Sequence, residues 1–220
     1  MRTRSTTRRP VLERLVLPEL QDLAAQELHA QATYDAVRVT GGDVSGRDLT
    51  GTTFTECELI DVTAHETGLQ SARLIETRIE RLNAPVLRAT RSTWRHVEMS
   101  GSRLGALDLD DAAVRQVRIV GSKIAWLNLR SATLEDVLLE DCTLEELDLT
   151  GAAAARVSFV NCRAGSVALA HARLKDVDLR GLEMGSISNL EGMAGATLDA
   201  QQVTALAPAF ASHLGLRVEG

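Results

Sequence analysis

The sequence predicts a four-sided parallel β-solenoid, a rod formed by a chain that coils regularly and stacks each coil on the one before it. Three observations predict this fold. An apolar residue occupies every fifth position from Val44 to Met184, at 29 consecutive pentad centres without an exception. The residue two positions before each centre is small, apolar or threonine, except at Arg47. Chemically similar residues also recur every 20 positions, so four pentads complete one turn.

The spacing of five is informative because it fits neither regular element. In the segment DCTLEELDLTG, Leu144 and Leu149 lie five residues apart. An amphipathic helix places its apolar residues three and four apart, and a half-buried strand places them two apart. We therefore assign each pentad to one side of a square coil, with the centre and the residue two before it inward. The pentad spacing is unbroken, so we expect no loop longer than a turn within the array.

The 20-residue period predicts which residues stack on each other. A single coil cannot bury its own inward face, so stability comes from neighbouring coils paired as parallel strands about 4.8 Å apart. The predicted columns are Leu87, Leu107, Leu127, Leu147, Val167 and Ile187; Val97, Val117, Val137, Val157 and Val177; Ala112, Ala132, Ala152 and Ala172; and Ser102, Ser122, Cys142 and Cys162.

The array divides the chain into three segments: an N-terminal tail and cap at 1–33, the solenoid at 34–189 and a C-terminal helical cap at 190–220. Leucines between positions 11 and 33 predict a short helix or irregular cap over the first coil. The arginines of MRTRSTTRRP predict a disordered basic tail, and they are Arg2, Arg4, Arg8 and Arg9.

The C-terminal segment DAQQVTALAPAFASHLGLRV reads as helical. Asp199 and Gln202 have the spacing of a capping box, in which each side chain satisfies a backbone N–H of the other. Pro208 is expected to divide the segment into two short helices because proline lacks the helical N–H. Gly215 predicts the helix end.

Several pentads resemble the A-(D/N)-L-x-x consensus of the pentapeptide-repeat family, among them Leu147-Asp148-Leu149 and Leu127-Asn128-Leu129. The resemblance covers about residues 34 to 188 and implies a right-handed quadrilateral β-helix. Related proteins pair through C-terminal elements, which implies a homodimer formed through residues 190–220. The segments RSTWR, GALDL and HLGLRV are similar to an actinobacterial group of these proteins, which implies a bacterial, cytoplasmic protein.

Composition argues against several classes of function. The formal net charge of −6 disfavours direct nucleic-acid binding. No apolar run of about 18 residues predicts a membrane span, and no secretory leader is recognisable at the N-terminus. The three cysteines form no C-x-x-C pair, so we expect reduced thiols. The histidines at 65, 96 and 171 fall on different faces, so we expect no metal site. No G-x-S-x-G motif or glycine-rich phosphate loop occurs, and a filled solenoid offers no deep pocket, so we expect no cofactor and no enzymatic activity.

Charged outward positions are the candidate site. The resemblance includes members that mimic duplex DNA and modulate DNA gyrase, a type II topoisomerase targeted by quinolones. Such a mimic would carry acidic groups along its rod, and one coil here has an acidic belt: Glu135, Asp136, Glu140, Asp141, Glu145, Glu146 and Asp148. Trp126 is outward too, and is either a partner contact or a ring lying flat over its neighbours.

Two functions remain open at this point. One is a DNA mimic that binds gyrase and protects it from drugs. The other is a protein-interaction scaffold with a different partner, which the alternation of opposite charges between successive coils favours. Arg115, Glu135 and Arg156 show this alternation, which suits ion pairs between adjacent rungs.

Overall fold

The computed structural model describes residues 7–218. Within this range the chain forms 19 strands, one α-helix and two short 3-10 helices, at Ala25–Glu27 and Leu190–Met193. The helix, α1, spans Ala200–His213. The strands are β1 (Gln21–Asp22), β2 (Thr33–Asp35), β3 (Val37–Thr40), β4 (Thr53–Thr55), β5 (Glu58–Ile60), β6 (Thr67–Gly68), β7 (Arg73–Glu80), β8 (Asn83–Arg88), β9 (Thr93–Ser100), β10 (Arg103–Asp108), β11 (Ala113–Val120), β12 (Lys123–Asn128), β13 (Thr133–Glu140), β14 (Thr143–Asp148), β15 (Ala153–Val160), β16 (Cys162–Ala168), β17 (Arg173–Asp178), β18 (Leu182–Ser188) and β19 (Ala196–Thr197).

The strands build a parallel β-solenoid of about nine turns, which confirms the predicted fold and its helical C-terminal cap. One sheet has 12 strands and the other has seven. From β4 to β18 the paired residues are 20 positions apart, as in Leu107, Leu127 and Leu147, so the predicted columns are real stacks. Pairing also extends beyond residues 34–189, because β1 pairs with β3 and β19 pairs with β17.

The corners of the coil explain why the pentads keep their length. Three of the four corners hold a residue with φ between 50° and 70° in most coils, for example Asp111, Asp136 and Asp141, one at each corner. This left-handed conformation is costly for residues other than glycine, and the pairing on both sides holds it in place. At the fourth corner, which contains Trp126 and Glu146, φ is positive at Gly46 and Glu66 in the first coils and at none of the corner residues from 86 to 186.

Inward side chains fill nearly all of the solenoid interior. Leu107, Leu127 and Leu147 are at most 1% exposed, and the large ring of Trp94 is 1% exposed. The Trp94 indole N–H donates to Ser92 Oγ at 3.0 Å, which satisfies its polar atom. An apolar cavity of about 30 Å³ lies among the first coils, about the volume of one water molecule.

Small polar residues sit two positions before a centre because their side chains bond to the preceding corner. Ser102 Oγ donates to the Ser100 carbonyl at 3.2 Å, and Cys142 Sγ donates to the Glu140 carbonyl at 3.3 Å. Cys57, Cys142 and Cys162 are all free and buried, as the sequence predicted. A hydrogen bond with the neighbouring Cys162 thiol, together with burial, raises the pKa of Cys142.

Arg47, the exception to the inward pattern, ties the N-terminal cap to the rod. Its guanidinium donates to the carbonyls of Gln26 at 2.7 Å and Leu28 at 2.9 Å. These carbonyls belong to the end of the first 3-10 helix, where backbone groups lack helical partners. The exception therefore marks the place where the array meets its cap.

Residues 7–20, here called the strap, run outside the solenoid along almost its whole length. Thr7 contacts Thr197 near the C-terminal end, Val11 contacts Asp136, and Arg78 near the N-terminal end contacts Leu15. The structure therefore differs from the expected disordered tail at Arg8 and Arg9, which belong to the strap, while Arg2 and Arg4 lie outside the described residues. The leucines at 12 and 15 line the side of the rod and not its first coil.

The C-terminal segment is one helix of 14 residues, so the predicted division at Pro208 is wrong. Proline removes one helical hydrogen bond, and alanine, the best helix former, fills five of the 14 positions. The capping box of Asp199 and Gln202 is confirmed, and Gln202 also donates to the Leu179 carbonyl of the last coil at 2.7 Å. Gly215, with φ of 70°, ends the helix as predicted.

Candidate functional site

The acidic belt encircles the rod and is not one patch. Glu135, Asp136 and Glu140 lie on β13 in the 12-stranded sheet. Glu145 and Glu146 lie on β14 in the seven-stranded sheet, which faces another side. A partner that contacts one side of the rod therefore meets only part of the predicted site.

Glu135 and Asp136 are neutralised by the next coil. Arg156 Nη2 lies 2.6 Å from Glu135 Oε1, and Arg156 Nε lies 2.6 Å from Asp136 Oδ1. The Asp136 side chain is 6% exposed and also accepts the Val11 N–H of the strap. The Arg156 hydrogen bond holds the pKa of Asp136 below its usual value, even though burial opposes this. In this conformation Asp136 is a structural anchor.

Glu140 and Asp141, at the next corner, are also engaged within the rod. Glu140 forms an ion pair with Arg118, whose side chain is 43% exposed. Asp141 Oδ1 accepts a hydrogen bond from Asn161 Nδ2 at 2.6 Å. Asp141 is exposed, so its charge remains accessible from solvent.

Asp148 has a local backbone role. Its Oδ1 accepts the Thr150 N–H at 2.9 Å, and the residue is 7% exposed. Asp108 and Asp178 accept the N–H two residues ahead in the same way, at 3.2 and 3.1 Å. Aspartate and asparagine favour such turns because their short side chains reach that N–H. The D/N of the repeat is therefore explained by the turn that follows it.

Glu145, Glu146 and Trp126, here called the Trp126 edge, form the freest part of the predicted site. Both glutamates are exposed, and neither forms an ion pair or a side-chain hydrogen bond within residues 7–218. Trp126 is half-buried and pairs in register with Glu146 on the adjacent strand. Glu145 also lines a shallow groove of about 300 Å³ with Arg103 and Lys123, so acidic and basic groups meet there.

An ionic ladder occupies another face of the rod. Arg38, Glu58 and Arg78 alternate on successive coils, with Glu58 carboxylate oxygens 2.6 Å from Arg38 and 3.1 Å from Arg78. Arg78 also approaches Glu98 at 3.7 Å. This arrangement confirms the expected ion pairing between rungs. The strap, in contrast, is a feature that the sequence reasoning missed, because no repeated spacing connects it to the rod.

Within residues 7–218 no group of three histidine, cysteine, aspartate or glutamate side chains is arranged to hold a metal ion. In the same range, no helix combines the length and the apolar character needed to cross a membrane. What the fold does present is an unbroken outer surface of paired and unpaired charges.

The fold and its outer surface define the class of the protein: a β-solenoid of pentapeptide repeats. The structure is similar to trypsin-treated QnrB1, a plasmid-mediated fluoroquinolone resistance protein, at 16% identity and a TM-score of 0.35, with 91% of this chain and 100% of that chain covered. It is also similar to HetL, a pentapeptide-repeat protein involved in heterocyst differentiation regulation in a Nostoc cyanobacterium, at 16% identity and a TM-score of 0.26, over 72% and 85% of the two chains.

These likenesses concern the shape of the chain only. At TM-scores below 0.5 they carry no argument about what this rod binds. No family model and no curated protein matches the sequence. The function therefore has to be argued from the residues of this rod.

Proposed function

We propose that this rod is a protein-binding module that contacts its partner through the Trp126 edge. The observation that carries the proposal is the pair of exposed, unpaired glutamates, Glu145 and Glu146, beside the half-buried ring of Trp126. Aromatic residues that are partly exposed contribute strongly to protein interfaces. Bringing an unpaired carboxylate against a basic surface costs little free energy, since no ion pair within the rod has to be broken.

The partner proposed first is DNA gyrase or a related type II topoisomerase, bound by mimicry of duplex DNA. Support comes from the straight array of coils and the net charge of the chain, −6. The density of net charge along the rod gives this partner weaker support. Residues 42–188 carry 22 acidic and 17 basic residues, which corresponds to about one net charge per 7 Å of rod at about 4.8 Å per coil. DNA carries about one per 1.7 Å.

A rod with about a quarter of the charge density of DNA would bind a DNA-binding surface through a local acidic cluster. The Trp126 edge and the neighbouring Asp141 supply such a cluster. We propose these three acids as the contact, and not the complete belt, because they are exposed, whereas Glu135 and Glu140 are partly buried and ion-paired and Asp136 and Asp148 are buried.

The alternative partner is a protein other than a topoisomerase, for which the rod is a scaffold. The ionic ladder favours this alternative, because a surface of alternating charges on Arg38, Glu58 and Arg78 gives no uniform attraction for a DNA-binding saddle. Such a surface instead fits a partner with its own pattern of charges.

We also propose a cytoplasmic homodimer joined through the C-terminal cap. Val203, Leu214, Leu216 and Val218 are exposed apolar residues at that end, between 48% and 78% accessible. Apolar residues gathered at one end of a soluble rod are typical of an interaction site. The three buried, free cysteines fit a reducing compartment.

The test is DNA supercoiling by bacterial gyrase with this protein titrated in, with and without a fluoroquinolone. We expect inhibition, or relief of drug-induced cleavage, at micromolar protein, weakening as salt is raised because the contact is ionic. The absence of any effect on gyrase from a closely related bacterium would reject the topoisomerase and leave the scaffold.

The site itself is tested with Glu145→Lys/Glu146→Lys and with Trp126→Ala. We expect each to weaken the effect at least tenfold while the rod stays folded. The matched control is Asp110→Lys/Asp111→Lys, an adjacent acidic pair at a different corner, where Arg91 shows that a long cationic side chain fits the left-handed conformation. Equal losses in both double variants would mean that overall charge, and not this edge, makes the contact.

A further inference from the structure

The strap is attached to the rod by few contacts for its length. Leu15 is its one buried residue within 7–20, at 3% exposure. Arg8 pairs with Asp176 at 3.1 Å, although the Arg8 side chain is 65% exposed. Val11 N donates to Asp136 Oδ1 at 2.9 Å, and Arg78 donates to the Leu15 carbonyl at 3.4 Å. Thr7 contacts Thr197, the Arg8 N–H donates to Asp176 Oδ1 at 3.3 Å, and His96 Nε2 lies 3.3 Å from the Glu13 carbonyl. The strap is therefore held at separate points and not along a continuous surface.

The backbone of the strap does not join either sheet. Residues 7–20 contain no strand, and backbone-to-backbone hydrogen bonds with the rod begin only at Gln21, which donates to the Ala36 carbonyl at 2.9 Å. Segments with few buried apolar contacts and no backbone ladder open at low free energy. The strap should therefore leave the rod far more readily than any coil unfolds.

The fit between strap and rod is also incomplete. A groove of about 300 Å³ lies between the strap at Arg9 and Leu12 and the rod at Leu138 and Ser158. Ser158 Oγ is the buried side-chain polar atom within residues 7–218 that has no hydrogen-bond partner. At the same place Val160 is 46% exposed and Val11 of the strap is 61% exposed.

Some outward residues beneath the strap depart from the ionic pattern, although near Leu15 the strap lies beside Arg38, Glu58 and Arg78 of the ionic ladder. The column that carries Arg78, Glu98 and Arg118 continues as Leu138 and Ser158, and these two lie under the strap. Replacing charges by leucine and serine makes this stretch suitable for an apolar, extended peptide. We call the surface formed by Asp136, Leu138, Ser158, Val160 and Asp176 the strap seat.

We propose that the strap seat is an exchangeable peptide-binding surface and that the strap of a second copy of this chain can occupy it. The matching chemistry is an extended segment with a cation, an apolar pair and a buried leucine, which Arg8, Val11, Leu12 and Leu15 provide. This proposal is independent of the Trp126 edge and of any topoisomerase.

The second copy is favoured as the occupant for two reasons. A strap from another copy makes every contact that the chain's own strap makes, so exchange loses no strap–seat contact, as in other domain swaps. Two rods brought side by side by exchanged straps would also cover Val11, Val16 and Val160, which a single rod leaves exposed at 61%, 71% and 46%.

The chain's own strap competes with an added peptide for the strap seat, and this competition determines the apparent affinity that a titration measures. The tethered strap acts at an effective concentration of about millimolar, so a free peptide has to compete with it. Its apparent affinity falls in proportion to the fraction of rods with an open seat. Opening the seat by mutation should therefore reveal the binding.

The test uses a fluorescently labelled peptide with the sequence of residues 7–20, titrated against the full-length protein by anisotropy. Leu15→Ala in the protein removes the one buried side chain of the strap without adding a charge beside Arg38 and Arg78, so the variant's own strap should leave the seat more often. We expect the peptide to bind the Leu15→Ala protein at least tenfold more tightly than the wild type. Circular dichroism checks that the rod is unchanged, since Leu15 belongs to no strand.

Two controls show that the seat is responsible. A peptide carrying the Leu15→Ala change should bind at least tenfold more weakly than the wild-type peptide, and binding of the wild-type peptide should fall at least tenfold when Asp136→Asn and Asp176→Asn are added to the Leu15→Ala protein. Failure of the wild-type peptide to bind the Leu15→Ala protein would overturn the exchangeable seat.

The identity of the occupant is tested with a photo-crosslinking residue at position 11 in an equal mixture of isotopically light and heavy full-length protein. We expect mixed light–heavy crosslinks between position 11 and the region of Asp136. The experiment is repeated in Leu214→Asp/Leu216→Asp protein, which removes the proposed C-terminal contact. Crosslinks confined to single chains at millimolar protein would overturn the second copy as occupant.

Discussion

The solenoid and the strap make an informative contrast within one chain. In the solenoid, each inward position is used again every 20 residues, so Leu107, Leu127 and Leu147 repeat one contact in successive coils. In the strap, each contact occurs once: Arg8 meets Asp176, Val11 meets Asp136, and Leu15 has its own buried site. Repeated contacts create a detectable period, whereas single contacts do not.

The two regions also differ in how they distribute stability. Each coil is stabilised by packing against the coil on either side and by hydrogen bonds in two sheets. Substitution of one inward residue therefore disturbs the packing at both interfaces. The strap is stabilised by isolated contacts, each of which can be lost without disturbing the hydrogen bonds between the strands of the solenoid. Three substitutions sharpen this contrast, and the largest effect is expected inside the solenoid.

Leu127→Asp should unfold the rod. Leu127 is 1% exposed and stacks between two other buried leucines, so the carboxylate would be buried without a partner. We expect a loss of more than about 4 kcal/mol in the free energy of unfolding, measured by urea denaturation. The outward control Lys123→Asp in the same strand should leave it within about 0.5 kcal/mol. A folded, monodisperse Leu127→Asp protein would show that the leucine column is not essential.

Arg156→Met should have an intermediate effect, with a characteristic pH dependence. Arg156 depresses the pKa of Asp136, so the pair contributes stability above the unfolded-state pKa of the aspartate and loses it as pH falls through the folded-state pKa. Without Arg156, the nearly buried Asp136 should cost about 1–3 kcal/mol at neutral pH. The deficit should shrink as the solution is acidified and Asp136 is protonated.

Thermal unfolding of wild type and Arg156→Met between neutral and acidic pH measures this difference. The two melting temperatures should converge at low pH. A constant difference at all pH values would mean that Arg156 acts through packing alone and that its ion pair with Asp136 contributes nothing measurable.

Asp148→Ala should have the smallest effect of the three, and Asp148→Asn almost none. The alanine variant loses the hydrogen bond from the Thr150 N–H, which is worth about 1 kcal/mol. Asparagine keeps the accepting oxygen and removes the charge. Urea denaturation measures both, and partner binding should survive Asp148→Asn if the residue is structural. Loss of partner binding in the Asp148→Asn variant would instead show that the Asp148 carboxylate is part of the contact surface.

Much of the fold was predictable because the solenoid repeats the same inward contacts at fixed spacings along the sequence. The pentad centres, the 20-residue stacks, the capping box at Asp199 and the stop at Gly215 all depend on residues near in sequence or at fixed spacing. The single helix through Pro208 was not predictable from the proline alone, because the surrounding alanines and the caps outweigh one lost hydrogen bond.

The candidate site was only partly predictable. The sequence placed all seven acids at outward positions and gave them equal weight. The structure separates Asp136, enclosed by Arg156 and the strap, from Glu145 and Glu146, which have no ionic partner within the described chain. The residues next to an acid in the sequence do not indicate that a segment distant in the sequence will bury it.

The sequence alone therefore determined that this chain coils into a stacked, four-sided rod with a helical end, because periodic burial requires periodic residues. Only the tertiary structure decided which charges face solvent, that one corner differs from the other three, and that residues 7–20 lie along the side of the rod. Those features depend on contacts between segments such as Arg8 and Asp176, which are 168 positions apart. No local pattern encodes such a pairing, since each partner is also an ordinary surface residue by itself.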